Sequence, residues 1–366
     1  MNSRGGVRTI TADITDLLEQ YQEQINARLA WFFDAKIEEA SGISRHTRDV
    51  VASAKEYTLR GGKRLRPIFC IYGYKCLRAD NEEAILDAAI SLELMQSYLL
   101  IHDDIMDEDE LRRGNRTFHI LCKELCEREF GVTKAHKFGE NVAIVGGDLL
   151  ESYGAEVLAT SSFKSEYVQK ALAAYAKIVK NVGYGQILDL TAERKGSFSE
   201  DEILTIHHLK TASYTIEGPL HIGALLAGAT EADLTVLSTY GIPLGLAFQI
   251  QDDILGLFGS AGKTGKPVGS DIREGKKTLL ILHALERCSE ADKAVILNAL
   301  GNDAVTDGKI EAVRAIVRST GSLEYSKALV RELIEKAVAT ISGSRFRAEA
   351  QAFLVAIADF IGRRDY

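Results

Sequence analysis

Paired carboxylates on apolar segments are the residues of this chain best suited to chemistry. One run reads His102-Asp103-Asp104-Ile105-Met106-Asp107-Glu108-Asp109-Glu110 and closes a strongly apolar stretch. At about 100° per residue, Asp103 and Asp107 share one helix face a turn apart, with Asp104 beside them. Like charges at that spacing destabilise an isolated helix, and the C-terminal end of the macrodipole disfavours anions. A divalent cation would neutralise them, and donors that are all carboxylates indicate a hard ion such as Mg2+. Taken alone, this cluster is equally compatible with a solvated acidic helix end. A second run, Phe248-Gln249-Ile250-Gln251-Asp252-Asp253-Ile254-Leu255-Gly256, again sets paired aspartates in a segment that otherwise reads as core. Unpaired carboxylates buried there would be costly. Two such sites on separate helices lead us to expect facing walls of one cavity in a helical bundle.

Carboxylates and Mg2+ usually meet at substrate phosphates, so a basic grip is the complement to look for. Gly61-Gly62-Lys63-Arg64-Leu65-Arg66-Pro67 supplies one: glycines end a helix and Pro67 is placed to start the next, with Lys63 and Arg66 near a helix N-terminus that favours anions. Read alone, the same turn could be an ordinary basic interhelical loop. Arg112-Arg113-Gly114 follows the first aspartate cluster, and guanidinium suits bidentate phosphate contacts. A third basic stretch, Gly262-Lys263-Thr264-Gly265-Lys266-Pro267, continues to Lys276-Lys277. It lacks the first glycine of a P-loop and follows a helix, so a basic lid behind the second aspartate pair is expected.

Nearly every segment has helical spacing. Within 84–106, Ile85, Ala88, Leu92, Met95 and Leu99 recur at three and four. Further helices are expected over 10–38, 47–59, 67–77, 142–160, 166–193, 199–227, 231–256, 276–285, 309–319, 323–342 and 345–363. Breaks are expected at Gly61-Gly62, Gly114-Asn115, Gly146-Gly147, residues 259–275 and Gly301-Asn302. No period-two alternation offers a sheet. Only four prolines occur in 366 residues, where average use would give about eighteen, which again points to long helices. The expectation is a single all-α domain over 1–366, with residues 1–45 as an N-terminal helical extension. No chemistry is readable in 1–45 or 300–366, whose expected roles are packing and dimer contacts.

Composition narrows the partners. Hydrophobic residues make up 46% and charged residues 26%, so the chain is globular. Lys and Arg number 44 against 52 Asp and Glu, a net charge of −8 that argues against general nucleic-acid or anionic-membrane binding. No secretory signal and no membrane span are expected. The five scattered cysteines fit a reducing cytoplasm. Cys122, Cys126 and His119 invite a zinc reading but lack a second ligand pair at finger spacing. His207 and His208 are read as helix-surface residues.

Taken together, GGKRLRP, the DDxxD motif at 103–107 followed by RRG, GGD at 146–148, GQxxD at 185–189, Lys210-Thr211 and FQxxDD at 248–253 resemble the trans-isoprenyl diphosphate synthases, in that family's order over about residues 55–290. The resemblance implies an all-α bundle around a deep apolar pocket, usually a homodimer, with three Mg2+ ions. It implies that Asp103, Asp104, Asp107 and Asp252 hold Mg2+, with Asp253 supporting. Arg112, Lys210 and Lys266 would hold an allylic diphosphate. Lys63, Arg66, Gln96 and Arg113 would hold isopentenyl diphosphate. Thr211, Gln249, Asp271 and Lys276 also fall on site positions, Asp271 with the metal set. Two residues depart from the pattern: Gly256 stands where many members carry a third aspartate, and Gln96 where many prokaryotic members carry His. Tyr98, five residues before Asp103 and about 7.5 Å along a helix axis, and Leu99 fall where bulk sets product length. A single aromatic there resembles the archaeal type of geranylgeranyl synthase, so a C20 product is expected. The alternatives are a farnesyl or longer-chain synthase, or a non-catalytic subunit of a heteromeric synthase. Terpene cyclases need no isopentenyl diphosphate grip, head-to-head synthases usually show DxxxD-type pairs, and a phosphohydrolase would need further metal-binding histidines.

Overall fold

The structure, a computed structural model, describes residues 5–195, 198–259, 269–302 and 304–363. They are almost entirely helical. Two compact units are distinguishable: residues 1–175 with 221–229, and residues 176–220 with 230–366.

The first unit contains α1 (Gly5–Ser41), α2 (Arg45–Leu59), α3 (Leu65–Lys75), α4 (Glu82–Ala89), α5 (Ser91–Met106), α6 (Phe118–Phe130), α7 (Ala135–Ala159) and the start of α8 (Ser165–Arg194). α1 packs on α2, and α5 and α6 each pack on α7. Ile25, Leu29 and Phe33 give α1 a fully buried stripe at four-residue spacing, the core face of an amphipathic helix. Between α5 and α6 lies the only departure from helix among the described residues that forms a ladder, a two-residue ribbon of β1 (Leu111–Arg112) and β2 (Asn115–Arg116).

The second unit contains the rest of α8, α9 (Glu200–His207), a π-helix (His208–Glu217), the first residues of α10 (Gly218–Leu226), α11 (Glu231–Phe258), the short α12 (Ser270–Arg273), α13 (Leu279–Arg287), α14 (Glu290–Ala299), α15 (Asp307–Ser319), α16 (Ser322–Ser342) and α17 (Ala348–Gly362). α11 is its axis and packs on the π-helix and α16. Capping boxes start α2 (Ser44 with Thr47), α9 (Ser199 with Glu202) and α11 (Thr230 with Asp233), each satisfying N–H groups that the helix leaves without partners.

Several expectations are corrected. The stretch 84–106 is two helices that meet at Ile90. Gly146-Gly147 is no break but the middle of α7. A Cβ on Gly146 would lie 2.6 Å from the Phe118 ring and one on Gly147 2.5 Å from the His102 ring, so these glycines admit neighbouring side chains. α6 and α14 were not expected as helices. The helix after the glycine loop starts at Leu65, so Pro67 is its third residue, still inside the first turn where no N–H is needed. The run Glu82–Met106 is long and apolar enough, at mean hydropathy 1.5, to cross a membrane by length and composition, but 67% of that window is buried inside the protein. A core helix passes the same test.

Candidate active site

In the first unit, the last turn of α5 presents Asp103 and Asp104, and Asp107 caps the helix. Asp104 is fully buried and accepts from the Tyr57 hydroxyl at 2.7 Å and from Arg112 Nε. Arg112, placed by the β1–β2 ribbon, also faces Asp103 at 3.5 Å and Asp109 at 3.8 Å. Burial raises the Asp104 carboxyl above its usual range, although Arg112 and Tyr57 pull it down. Burial, with the Asp104 charge next, pushes the Tyr57 phenol up as well.

The glycine loop packs next to these groups. Gly62, at φ +117°, brings its backbone against the Arg113 guanidinium; a Cβ would lie 3.0 Å from both terminal nitrogens. Arg113 donates to the Gly61 carbonyl, and Gln22 of α1 donates to the Gly62 carbonyl at 2.5 Å. Arg64 is left-handed at φ 51° and 4% exposed. Its guanidinium donates to Asn26 Oδ1 at 2.9 Å and to the Thr58 carbonyl at 2.8 Å, and forms an ion pair with Glu93. Gln96, Arg112 and Arg113 line a pocket with Tyr57, Arg60 and Glu93. Lys63 is exposed on the loop and Arg66 is half-buried in the first turn of α3; neither lines that pocket. Tyr98 and Leu99 are half-buried on α5, and the Tyr98 ring meets the His102 ring edge-on at 4.9 Å. Arg60, Arg64, Glu93, Gln22 and Asn26 escaped the sequence reading as support for the site. Only Arg64, inside the basic run, carried any signal there.

In the second unit, the π-helix carries Lys210 and Thr211. Such i→i+5 segments are rare and concentrate at functional sites. Glycines from other helices allow its close packing: a Cβ would lie 2.9 Å from the Lys210 nitrogen at Gly185 and 2.4 Å from Ala212 Cα at Gly245. Lys210 Nζ donates to Asp189 Oδ2 of the GQxxD motif at 2.9 Å. Thr211 donates to Gln249 Oε1 at 2.7 Å, and Gln249 Nε2 donates to Asp253 Oδ1 at 2.8 Å. Asp252 is half-buried beside them on α11. Asp271 lies against Gly256, and Lys276 Nζ stands 3.5 Å from its carboxylate. Lys266 and the stretch 262–267 lie outside the described residues.

His207 is a correction. It is not on the surface but 8% exposed, its Nε2 3.4 Å from Asp253 Oδ2. The approach has the distance of an ion pair, yet burial pushes His207 down to about 4. Burial, followed by the Asp271 charge, holds Asp253 well above the usual carboxylate range. His208 is half-buried, facing Glu217 at 3.9 Å. Cys122 and Cys126 are both buried on α6, where burial pushes the Cys122 thiol up to about 12, against a metal-ligating thiolate.

Asp253 Oδ2 is buried without a hydrogen-bond partner. A carboxylate oxygen so placed, beside the half-buried Asp252, suits a hard cation, and the donor set fits Mg2+. Each half of the candidate set is thus assembled within its own unit: carboxylates with guanidinium groups in the first, carboxylates with ammonium groups in the second.

Comparison with known proteins agrees. The sequence profile of the family described as Polyprenyl synthetase matches residues 48–317. A geranylgeranyl diphosphate synthase of Sulfolobus acidocaldarius is 35% identical over 284 residues, 77% of this chain and 80% of that protein. A geranylfarnesyl diphosphate synthase of Aeropyrum pernix is 32% identical, covering 87% of this chain and 95% of its own. The crystal structure of a geranylgeranyl pyrophosphate synthase from Corynebacterium glutamicum, complexed with isoprenyl diphosphate and magnesium, superposes with a TM-score of 0.90 at 33% identity, over 95% of this chain and 99% of that one. The chain belongs to the polyprenyl synthetase family, the all-α trans-prenyltransferases that elongate prenyl diphosphates.

Proposed function

We propose that this chain condenses isopentenyl diphosphate head-to-tail with allylic diphosphates and stops at geranylgeranyl diphosphate, C20. The observation that carries the reading is the pairing, within each unit, of carboxylates with cationic side chains: Asp103 and Asp104 with Arg112 in the first, Asp189 with Lys210 in the second. Arg112, Lys210 and Lys266 hold the allylic diphosphate, and Lys63, Arg66, Gln96 and Arg113 hold isopentenyl diphosphate. Asp103, Asp104, Asp107 and Asp252, supported by Asp253 and Asp271, hold Mg2+, three ions by likeness to the family. Bound Mg2+ neutralises the diphosphate and stabilises charge on it as it leaves.

The side chains divide the remaining work. Arg112 and Lys210, themselves held by Asp103, Asp104 and Asp189, are oriented before substrate arrives and stabilise the departing diphosphate. The carbon–oxygen bond breaks to an allylic cation. The double bond of isopentenyl diphosphate attacks it, and a proton passes to the released pyrophosphate. Apolar walls exclude water from the cation. Thr211 and Gln249 fix the orientation of Asp253. The solved relative bound to isoprenyl diphosphate and magnesium supports the substrate and ion.

Tyr98 supports a C20 limit, and the geranylfarnesyl relative keeps a longer product as the competing reading. The test is incubation with Mg2+, isopentenyl diphosphate and each of dimethylallyl, geranyl and farnesyl diphosphate, with products sized by chromatography. C20 from all primers is expected; condensation with none would favour a non-catalytic subunit.

We also propose a homodimer. Ile144, Val145 and Leu149 of α7 are exposed in the first unit, and Tyr184, Ile187, Leu188 and Leu190 of α8 in the second. Apolar exposure of this kind marks an interaction face. Sedimentation at the mass of one chain would overturn it. We also propose a cytoplasmic setting, supported by the few and scattered cysteines of the sequence and tested by fractionation.

A further inference from the structure

The two oxygens of the buried Asp104 carboxylate are shared between donors from different elements. The Tyr57 hydroxyl of α2 donates to Oδ2 at 2.7 Å, and Arg112 Nε of the β1–β2 ribbon donates to Oδ1. Guanidinium groups commonly take a carboxylate bidentate, with two parallel N–H groups on its two oxygens. Here Tyr57 holds the second oxygen. Arg112 therefore keeps Nε on Asp104 while one of its Nη atoms stands 3.5 Å from Asp103 and 3.8 Å from Asp109.

The Tyr57 ring is well fixed for this task. It is 6% exposed, and the fully buried Phe118 meets it edge-on at 5.9 Å. The Arg60 guanidinium lies over its face, 5.6 Å from the centroid. Arg60 is held in turn by Glu56 at 2.6 Å and by the Arg116 carbonyl of the ribbon. The same ring is one wall of the pocket that Gln96, Arg112 and Arg113 line. Its hydroxyl and its ring thus have separate jobs, one toward the aspartate motif and one toward the pocket.

We propose that Tyr57 is a positioning residue for diphosphate binding: by occupying one oxygen of Asp104, it keeps Arg112 from closing on that carboxylate and leaves the guanidinium beside Asp103 to meet the allylic diphosphate. The inference rests on the proposed reading of the site and deepens it. Tyr57→Phe keeps the ring and removes only the hydroxyl. Asp104 Oδ2 is then buried without a donor, which is costly, and the second N–H of the Arg112 fork turns from Asp103 to satisfy it. A lysine ammonium has no such fork. In an Arg112→Lys chain, loss of the Tyr57 hydroxyl has no guanidinium to redirect.

The experiment titrates inorganic pyrophosphate into the full chain at saturating Mg2+, reading affinity by calorimetry, with KM for each substrate and the melting temperature as separate readouts. Tyr57→Phe is expected to weaken pyrophosphate about tenfold, the scale of one hydrogen bond to a charged group. It should raise KM for the allylic primer by a similar factor and leave that for isopentenyl diphosphate nearly unchanged, because the pocket wall remains. In the Arg112→Lys background the same substitution should change pyrophosphate affinity by less than about twofold. Parental pyrophosphate affinity in Tyr57→Phe, or an equal fold-change in both backgrounds, overturns the inference alone. So does a Tyr57→Phe chain that circular dichroism shows to be unfolded, since the hydroxyl would then serve the fold. If the parent chain binds no pyrophosphate with Mg2+ present, the reading of the whole site falls, and this inference with it.

Discussion

A guanidinium with 2% of its side chain exposed needs partners for every donor, and Arg64 has them on three other segments of the first unit: Asn26, the Thr58 carbonyl and Glu93. The result is a clamp on the glycine loop, with Glu93 one helical turn before Gln96 on α5. Breaking a buried pair by removing one partner strands a charge and costs about 3–5 kcal/mol, while replacing both by apolar groups is often neutral. Glu93→Ala is expected to lose that much in urea unfolding and to raise the KM for isopentenyl diphosphate more than that for the allylic primer. Arg64→Met with Glu93→Met is expected to regain stability but not the isopentenyl KM. If stability and KM recover together, the clamp does not position the grip. Tyr98 acts at the same scale. Tyr98→Ala should shift products to C25 and longer, and an unchanged chromatographic distribution would remove Tyr98 as the floor.

Among the elements, the π-helix has the clearest link from sequence to site. Its ten residues carry Lys210 and Thr211, and its position depends on glycines in neighbouring helices. Gly245→Ala places a methyl 2.4 Å from Ala212 Cα, with backbone on both sides and little room to yield. Overpacking of this type costs about 1–3 kcal/mol. We expect a lowered melting temperature together with a fall in kcat, because the displaced turn carries Thr211 away from Gln249. A variant that melts lower but keeps the parental kcat would separate the packing from the chemistry. The same logic explains Gly146-Gly147: glycine pairs mark turns in isolation, but inside α7 they make room for Phe118 and His102.

At the scale of the molecule, buried histidines make stability sensitive to acid. His119 and His283 are held below their usual range by burial, and His207 is pushed down to about 4. A folded-state value below the unfolded one means full stability above about pH 6.5, lost as pH falls toward 4, because only the unfolded chain takes the proton in that window. For His207 alone the loss between pH 7 and 5 is about 2 kcal/mol. Asp253 works in the opposite sense, since its raised value favours the folded state as pH falls. Comparison with His207→Gln cancels that contribution. The pH 7 to 5 drop in urea-derived stability should be about 2 kcal/mol smaller in the variant, and an equal drop would show His207 to be protonated in the folded chain.

The sequence by itself determined the helical class, most helix positions and the chemistry. Helical periodicity is a local property, and the motifs that hold Asp103, Asp104, Asp107, Lys63, Arg66, Arg112, Asp252 and Asp253 are legible in residue type and spacing. The β1–β2 ribbon is too short for a periodic signal, and α6 and α14 were missed as elements. Only tertiary structure decided which polar groups are buried and what partners them. Nothing at position 207 distinguishes an exposed imidazole from one against Asp253. Nothing around Gln22 or Asn26 shows that α1 supports a loop some forty residues away. These facts depend on contacts between segments distant along the chain, and spacing along a single segment contains no record of them.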